Sequence, residues 1–368
     1  MRNVLVLLVL VYCQLPVSGC QLDWQLATGN MVAQSPEQSA ADAIKEGIAL
    51  YRSRKFKQAL EKFELALKQD AKNDEALLYA AVTAFRVGNQ VQSRGYFLRR
   101  AELPGQKDTV KAYCYYRVAL TYWREAHDLV AKYGDFAGER LVYRLPERDA
   151  ADADRFITNG LDYVERALVL TKDYAAAYNI KNLLHTEAAL AAKDEKKAKE
   201  HQNEAIASLR HAVEKTGRAA AASAADAVDF NQPTVRIAEF AVTPEDDRKI
   251  DDPILKLITG GRPKRRVKAN FPTVRLQNPT VDTRGGTPEG GAPPGQEPAV
   301  AAAPEFIKVE VLVSTTGSVL FTRIIDGQQG YNDAAILAAQ GWRFDPATFE
   351  GKPVQLSSVI SFEVKQKK

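Results

Sequence analysis

The sequence predicts a multidomain α plus (α+β) chain. It divides into an all-α helical solenoid, a flexible connector, and a small C-terminal strand–strand–helix–strand domain. Three observations carry this. Residues 40–217 are rich in Ala, Leu, Glu and Lys, with apolar residues recurring at a 3.6-residue period and no stretch that reads as strand. Residues 218–303 shift to scattered prolines and paired glycines. From Pro304 onward, short β-branched runs alternate with turn residues. The boundaries that follow are a signal segment at 1–19, a tether at 20–39, the helical domain at 40–217, the connector at 218–303 and the terminal domain at 304–368.

The first twenty residues indicate the compartment. Arg2 precedes an unbroken apolar run, Val4 to Val11, followed by Pro16-Val17-Ser18-Gly19-Cys20. A run this short, interrupted by Gln14 and Pro16, cannot cross a hydrocarbon core that takes about 20 apolar residues, and it reads as a secretory signal. Val17-Ser18-Gly19-Cys20 resembles a bacterial lipobox, with Val17 where leucine is typical. The resemblance implies that Cys20 is acylated and becomes the mature N-terminus. Gln21 follows it, not the aspartate that commonly retains such lipoproteins in the inner membrane. The expected location is therefore the periplasm, lipid-anchored, with the outer membrane favoured. Of the three cysteines, Cys13 lies in the signal and Cys20 would carry lipid, which leaves Cys114 with no disulfide partner.

In the helical domain Gly47, Leu50, Phe56, Ala59, Phe63 and Ala66 alternate small and large residues, with Arg54-Lys55-Phe56 and Gln69-Asp70-Ala71-Lys72-Asn73 at turns. Ala81, Ala84, Gly88, Ser93 and Phe97 repeat the pattern in phase, with Arg100 where a small residue is usual. Small residues let paired helices approach while the aromatic fills the space between pairs. This pattern resembles the tetratricopeptide (TPR) repeat, a helix–turn–helix unit of about 34 residues. A third unit is stretched: one aromatic-rich helix at Val110 to Tyr133, an insertion at Gly134 to Asp152 containing Pro146, then Phe156 to Leu170. Asp173 to Ala192 and Lys196 to Glu214 make the last pair. The resemblance implies a protein or peptide partner. Tyr113, Tyr116, Arg117, Tyr122, Trp123 and Arg124 form an aromatic and basic cluster on one helix. As a surface it suits an anionic or aromatic-containing peptide, and at helical spacing such residues also serve as packing between repeats.

The connector is read as a coil of about 80 residues spanning about 50 Å, within which Thr234 to Phe240 could pair as a strand. Arg262, Lys264, Arg265, Arg266 and Lys268 form a basic knot in it. Behind a secretory signal such a knot suits an anionic lipid or cell-wall surface, or simply stays solvated. A net charge of +4 is too small to argue for nucleic-acid binding.

In the terminal domain Ile307, Val309, Val311 and Val313 alternate with Phe306, Lys308, Glu310 and Leu312 as a first strand. Thr315-Thr316-Gly317-Ser318 supplies a hairpin turn, and Val319 to Ile325 a second strand. Asn332 or Asp333 would cap a helix over Ala334 to Gln340, closed by Gly341, and Val354 to Val364 would be the last strand. With Gly341-Trp342-Arg343-Phe344-Asp345-Pro346-Ala347, Gly351-Lys352-Pro353-Val354 and Ser361-Phe362-Glu363-Val364, these residues resemble the C-terminal domain of the TonB family. The proline-containing helical segment usual before its first strand is replaced here by the Ala, Pro and Gly of Pro293 to Pro304. The resemblance implies a periplasmic domain that grips a segment of an outer-membrane receptor by adding it as a strand. By position the accepting edge would be the terminal strand, at Ser358, Val359, Ile360, Ser361 and Phe362.

No catalytic pattern is visible. His127, His185, His201 and His211 all lie in helical stretches without a nucleophile or a metal-binding spacing, and no phosphate-cradling loop or Gly-x-Ser-x-Gly occurs. The expectation is a non-enzymatic, membrane-anchored interaction protein with no cofactor, no metal and no nucleic acid. Its partners would be proteins: a receptor peptide in TonB-type transport, or components of an envelope-assembly scaffold with no part in energy transduction.

Overall fold

A computed structural model of the chain describes residues 36–137, 140–216, 232–242, 244, 248–249, 253–271 and 304–364. The signal segment, Cys20, and connector residues 218–231 and 272–303 lie outside the described residues.

Among the described residues, eight helices form four stacked helix–turn–helix pairs: α1 (Pro36–Arg52) with α2 (Phe56–Gln69), α3 (Asp74–Arg86) with α4 (Gln90–Ala101), α5 (Asp108–Lys132) with α6 (Glu147–Leu170), and α7 (Ala175–Ala191) with α8 (Glu195–Lys215). The small-and-large pattern is what lets them stack. A Cβ built on Gly47 would lie 2.5 Å from the ring of Phe63, and Phe63 in turn stacks on Tyr79 of the next pair at 5.3 Å. Because Phe63 is fully buried, it cannot swing aside. Gly47→Ala is therefore expected to cost about 1–3 kcal/mol, read as a lower denaturant midpoint with an unchanged slope. Arg100, which breaks the small-residue rule, is buried and donates to Asp74 through Nε (3.0 Å) and Nη2 (2.8 Å). A bidentate pair thus stands where a methyl group usually packs. Asn73 and Asn89 cap α3 and α4 by accepting from Ala76 N and Gln92 N.

The insertion after α5 departs from expectation. It forms a hairpin, β1 (Gly134–Ala137) with β2 (Arg140–Tyr143), in a domain where the sequence shows no strand. The connector departs further. The strand expected at Thr234 to Phe240 forms as β3 (Thr234–Ala241), and other described residues of the connector add β4 (Arg248–Lys249), a 3₁₀ turn (Pro253–Leu257), β5 (Ile258–Thr259) and β6 (Pro263–Arg265), which its composition does not indicate. The reason is visible in β3, where Val235, Ile237 and Phe240 are buried in the same core as the terminal domain.

The terminal domain contains the expected strand, strand, helix and strand as β7 (Phe306–Val313), β8 (Val319–Asp326), α9 (Asn332–Gln340) and β11 (Lys352–Glu363), with two short strands not expected from the sequence, β9 (Arg343–Phe344) and β10 (Ala347–Phe349), before the last. Gly317 takes φ +86° at the hairpin tip, where its backbone abuts Phe344 O. The expected Asn332 or Asp333 cap is not formed. α9 starts at Asn332 behind Tyr331, and no side chain caps it. The strands assemble as β1-β2-β4-β3-β11, with β7 on the other side of β11 and β8 beyond β7.

Strand alternation sorts this sheet into two faces. Val235, Ile237, Ile307, Val309, Val311, Leu356, Ile360 and Phe362 pack with α9, Trp342, and Ala205, Leu209 and Val213 of α8. The opposite face carries the charged residues and meets α5 and α7, so β7 is buried on both faces. A solenoid needs its last repeat covered. Here the terminal domain provides that cover.

Candidate site at the junction of solenoid and sheet

The charged face of the sheet docks on the two inner helices of the last repeats. Arg124, His127 and Asp128 come from one face of α5, at i, i+3 and i+4, and Glu187 from α7. Arg236 and Glu239 come from β3, Lys308 and Glu310 from β7, and Arg323 from β8. Four cations (Arg124, Arg236, Lys308, Arg323) thus meet four carboxylates (Asp128, Glu187, Glu239, Glu310).

Glu310 is the hub. It accepts from Arg124 and from Arg323 Nε (3.0 Å), and its second oxygen lies 3.4 Å from His127 Nε2. The other imidazole nitrogen, Nδ1, is 2.7 Å from Glu187, which also accepts from Arg236. Arg323 reaches on to Asp128. Glu239 accepts from Ser361 of β11 and stands 3.7 Å from Lys308. Above this chain of charges, α7 holds the start of β3 by its backbone: Thr234 N donates to Asn179 Oδ1 (2.7 Å), and Asn182 Nδ2 donates to Thr234 O (2.8 Å).

The electrostatics follow from burial opposed by pairing. Burial alone would raise the Glu310 carboxyl, but Arg124, then Arg323 and His127, outweigh it and hold the group well below the usual carboxylate range. Glu187 is held down in the same way by Arg236 and His127. The junction is thus an interface of opposite charges that pair with one another.

Beside it opens a cleft of about 590 Å³ between the α3–α4 turn, α5 and β8, lined among others by Phe85, Arg86, Val91, Asp128, Phe321 and Arg323.

The residues singled out from the sequence fall elsewhere. Ser358, Val359, Ile360, Ser361 and Phe362 lie in the C-terminal half of β11; all five pair with β7, Val359, Ile360 and Ser361 also pair with β3, and all are buried. The edge expected there is filled by the chain's own strand. The α5 cluster is not a free surface either. Tyr116, Arg117, Trp123 and Arg124 are buried, Arg117 lies over Phe85, Phe97 and Tyr113, and Arg124 belongs to the junction. Tyr113 is half-buried against Phe97. The basic knot is divided. Arg262, Lys264, Arg265 and Lys268 are exposed, Lys264 pairs with Asp345 at 2.9 Å, and Arg266 packs over Trp342 and donates to Ala241 O. Cys114 is buried, and burial pushes its thiol up to about 12. His185 faces His201 at 3.1 Å, and burial, then His201, pull it down to about 4. Among the described residues no group of three His, Cys, Asp or Glu could hold a metal ion.

Of the junction residues, sequence reasoning singled out Arg124 and Ser361 for other roles and missed their pairing, although a partial signal existed. Lys308 and Glu310 alternate with β-branched neighbours, and Asn179, Asn182 and Glu187 are polar residues of α7, which is rich in Ala and Leu.

No protein-family model matches the chain, and no curated protein does. Among solved structures it is similar to the MamA protein at 17% identity, over 49% of this chain and 84% of that one, with a TM-score of 0.32. It is similar to YrrB, a TPR protein with an unusual peptide-binding site, at 13% identity over 48% and 87% of the two chains, with a TM-score of 0.28. It is also similar to TTC0263, a thermophilic TPR protein of Thermus thermophilus, at 17% identity over 49% and 92%, with a TM-score of 0.29. The helices of this chain form a TPR-like solenoid by their own packing.

Proposed function

We propose that the chain is a non-enzymatic scaffold for protein–protein interaction, lipid-anchored through Cys20 in the periplasm. In this reading the terminal domain is a fixed part of the solenoid. One observation carries it: the junction of buried charges that joins α5 and α7 to β3, β7 and β8. A domain that searches for a receptor on a long tether needs a clean surface and an open terminal strand. Here the surface is fastened to the repeats and β11 has a neighbour on each side. Envelope assembly is therefore favoured over TonB-type transport.

The test is incorporation of radiolabelled fatty acid in wild type and Cys20→Ala, with inner and outer membranes separated. Label on the wild type in the outer-membrane fraction, lost in the variant, is expected. An unlabelled, uncleaved chain in the inner membrane would overturn the anchored scaffold and restore the transport reading.

A further inference from the structure

We propose that the outer face of α9, together with connector residues 262–271 laid along it, is a contact surface for an anionic lipid bilayer. The proposal goes beyond the anchored scaffold and does not depend on Cys20.

The argument starts from what fixes the basic run in place. In a free connector these cations would point nowhere in particular. Here Val267, Ala269 and Phe271 pack in alternation against the core of the terminal domain, and Lys268 between them is exposed. Val267 covers Gly341 at the end of α9, where an added Cβ would meet it at 2.9 Å, and its carbonyl accepts from Trp342 Nε1 at 3.0 Å. Phe271 meets Tyr331 at the start of the same helix, with ring centroids 5.8 Å apart. The segment therefore runs the length of α9, and its charges share that helix's surface.

The second observation is unneutralised charge. β6 pairs with β9 so that Arg265 stands opposite Arg343, and both are exposed. Like charges facing each other across a strand pair are destabilising, and an anion outside the chain would offset that cost. Arg343 is held at the helix end by donating through Nη1 to Gln340 O (3.1 Å) and Trp342 O (2.6 Å). Lys264 has Asp345 as its own carboxylate. Among the described residues Arg262, Arg265, Lys268 and Arg343 have none. The exposed Asp333 lies in the first turn of α9, at the opposite end from Arg343.

Exposed leucines select the kind of anion. Leu337 is 72% exposed and sits one turn before Gly341, on the helix face that Val267 borders. Leu320, 46% exposed, lies two residues from Ser318, which bridges to Arg343. A soluble polyanion has no use for exposed leucines. A bilayer accepts them at the boundary between headgroups and acyl chains, while neighbouring cations meet the headgroup phosphates.

The test is flotation of the purified full chain carrying Cys20→Ala, so that no acyl chain contributes, with vesicles of phosphatidylcholine alone or with about one-third phosphatidylglycerol. The leader is common to every chain compared. The partition coefficient is expected to be at least tenfold higher on the anionic vesicles. A cation near such a surface contributes about fivefold, so Arg265→Gln/Lys268→Gln should weaken anionic binding about 25-fold. Leu337→Ser should weaken it about tenfold, and Val169→Ser, at an exposed site on α6, should leave it unchanged. Raising the salt to about 1 M, where the screening length is about 3 Å, should remove the preference for anionic lipid. Equal partition into both vesicles, or anionic binding indifferent to the double variant, would overturn the proposal. Loss in the double variant with Leu337→Ser unchanged would assign the surface to a soluble anionic polymer and overturn the bilayer. Fatty-acid labelling reads the anchor separately, so either idea can fail without the other.

Discussion

Replacing Glu310 with alanine is expected to lower the free energy of unfolding by about 3–5 kcal/mol, the magnitude associated with removing one member of a buried ion pair. The change strands Arg124 and Arg323, which both donate to Glu310, beside a His127 that faces it at 3.4 Å. Arg124 is 4% exposed at its side chain, so water cannot replace the lost carboxylate, and arginine cannot shed its charge. Equilibrium denaturation followed by circular dichroism measures the loss. Glu350→Ala is the control. It removes an ion pair to Arg210 in which both side chains are about half exposed, and pairs of that kind contribute little. If the two variants cost the same, the junction is not what holds the terminal domain.

Acid is expected to open the junction before it melts the first two helix pairs. Glu310 and Glu187 have depressed values in the folded chain and ordinary ones when unfolded, with a reference of 4.5. A depressed carboxylate stabilises the folded state fully above its unfolded value, and that contribution is lost as pH falls from there toward the folded value. The loss therefore begins near pH 4.5 and grows below it. Asp74, where burial is outweighed by Arg100, is also held low, but its side chain is 49% exposed and solvent screens it. Hydrogen–deuterium exchange between pH 7 and 3 should show protection of β3 and β7 falling before that of α2 and α3. Uniform loss across both regions would contradict this.

The sequence made individual elements legible and left their docking hidden, for a physical reason. The bounds of β7 are those its alternation indicates, Gly317 marks its hairpin, and α9 ends where Gly341 stands, because each depends on residues within a few positions of one another. The repeat register was equally local, set by Gly47 against Phe63. The junction depends on contacts such as Arg124 with Glu310, 186 residues apart, which no periodicity reports. The run at Thr234 to Phe240 was legible as a strand, but where it pairs was not, for a related reason. A single alternating run of eight residues is stable only when a sheet edge and a helix accept it, and neither is adjacent in sequence. The same blindness placed the open edge on β11. Nothing local to Ser358–Phe362 shows that β3 returns to pair there, while among the described residues β8 pairs with β7 alone.

The central claim is that solenoid and terminal domain form one body, joined through buried charges. Differential scanning calorimetry of the wild type and Glu310→Ala at neutral pH tests it most directly. The account predicts a single wild-type transition whose calorimetric and van't Hoff enthalpies agree, moved to lower temperature or split in two by the substitution. Two separate transitions in the wild type, with the larger one unmoved in Glu310→Ala, would show independent domains and contradict it.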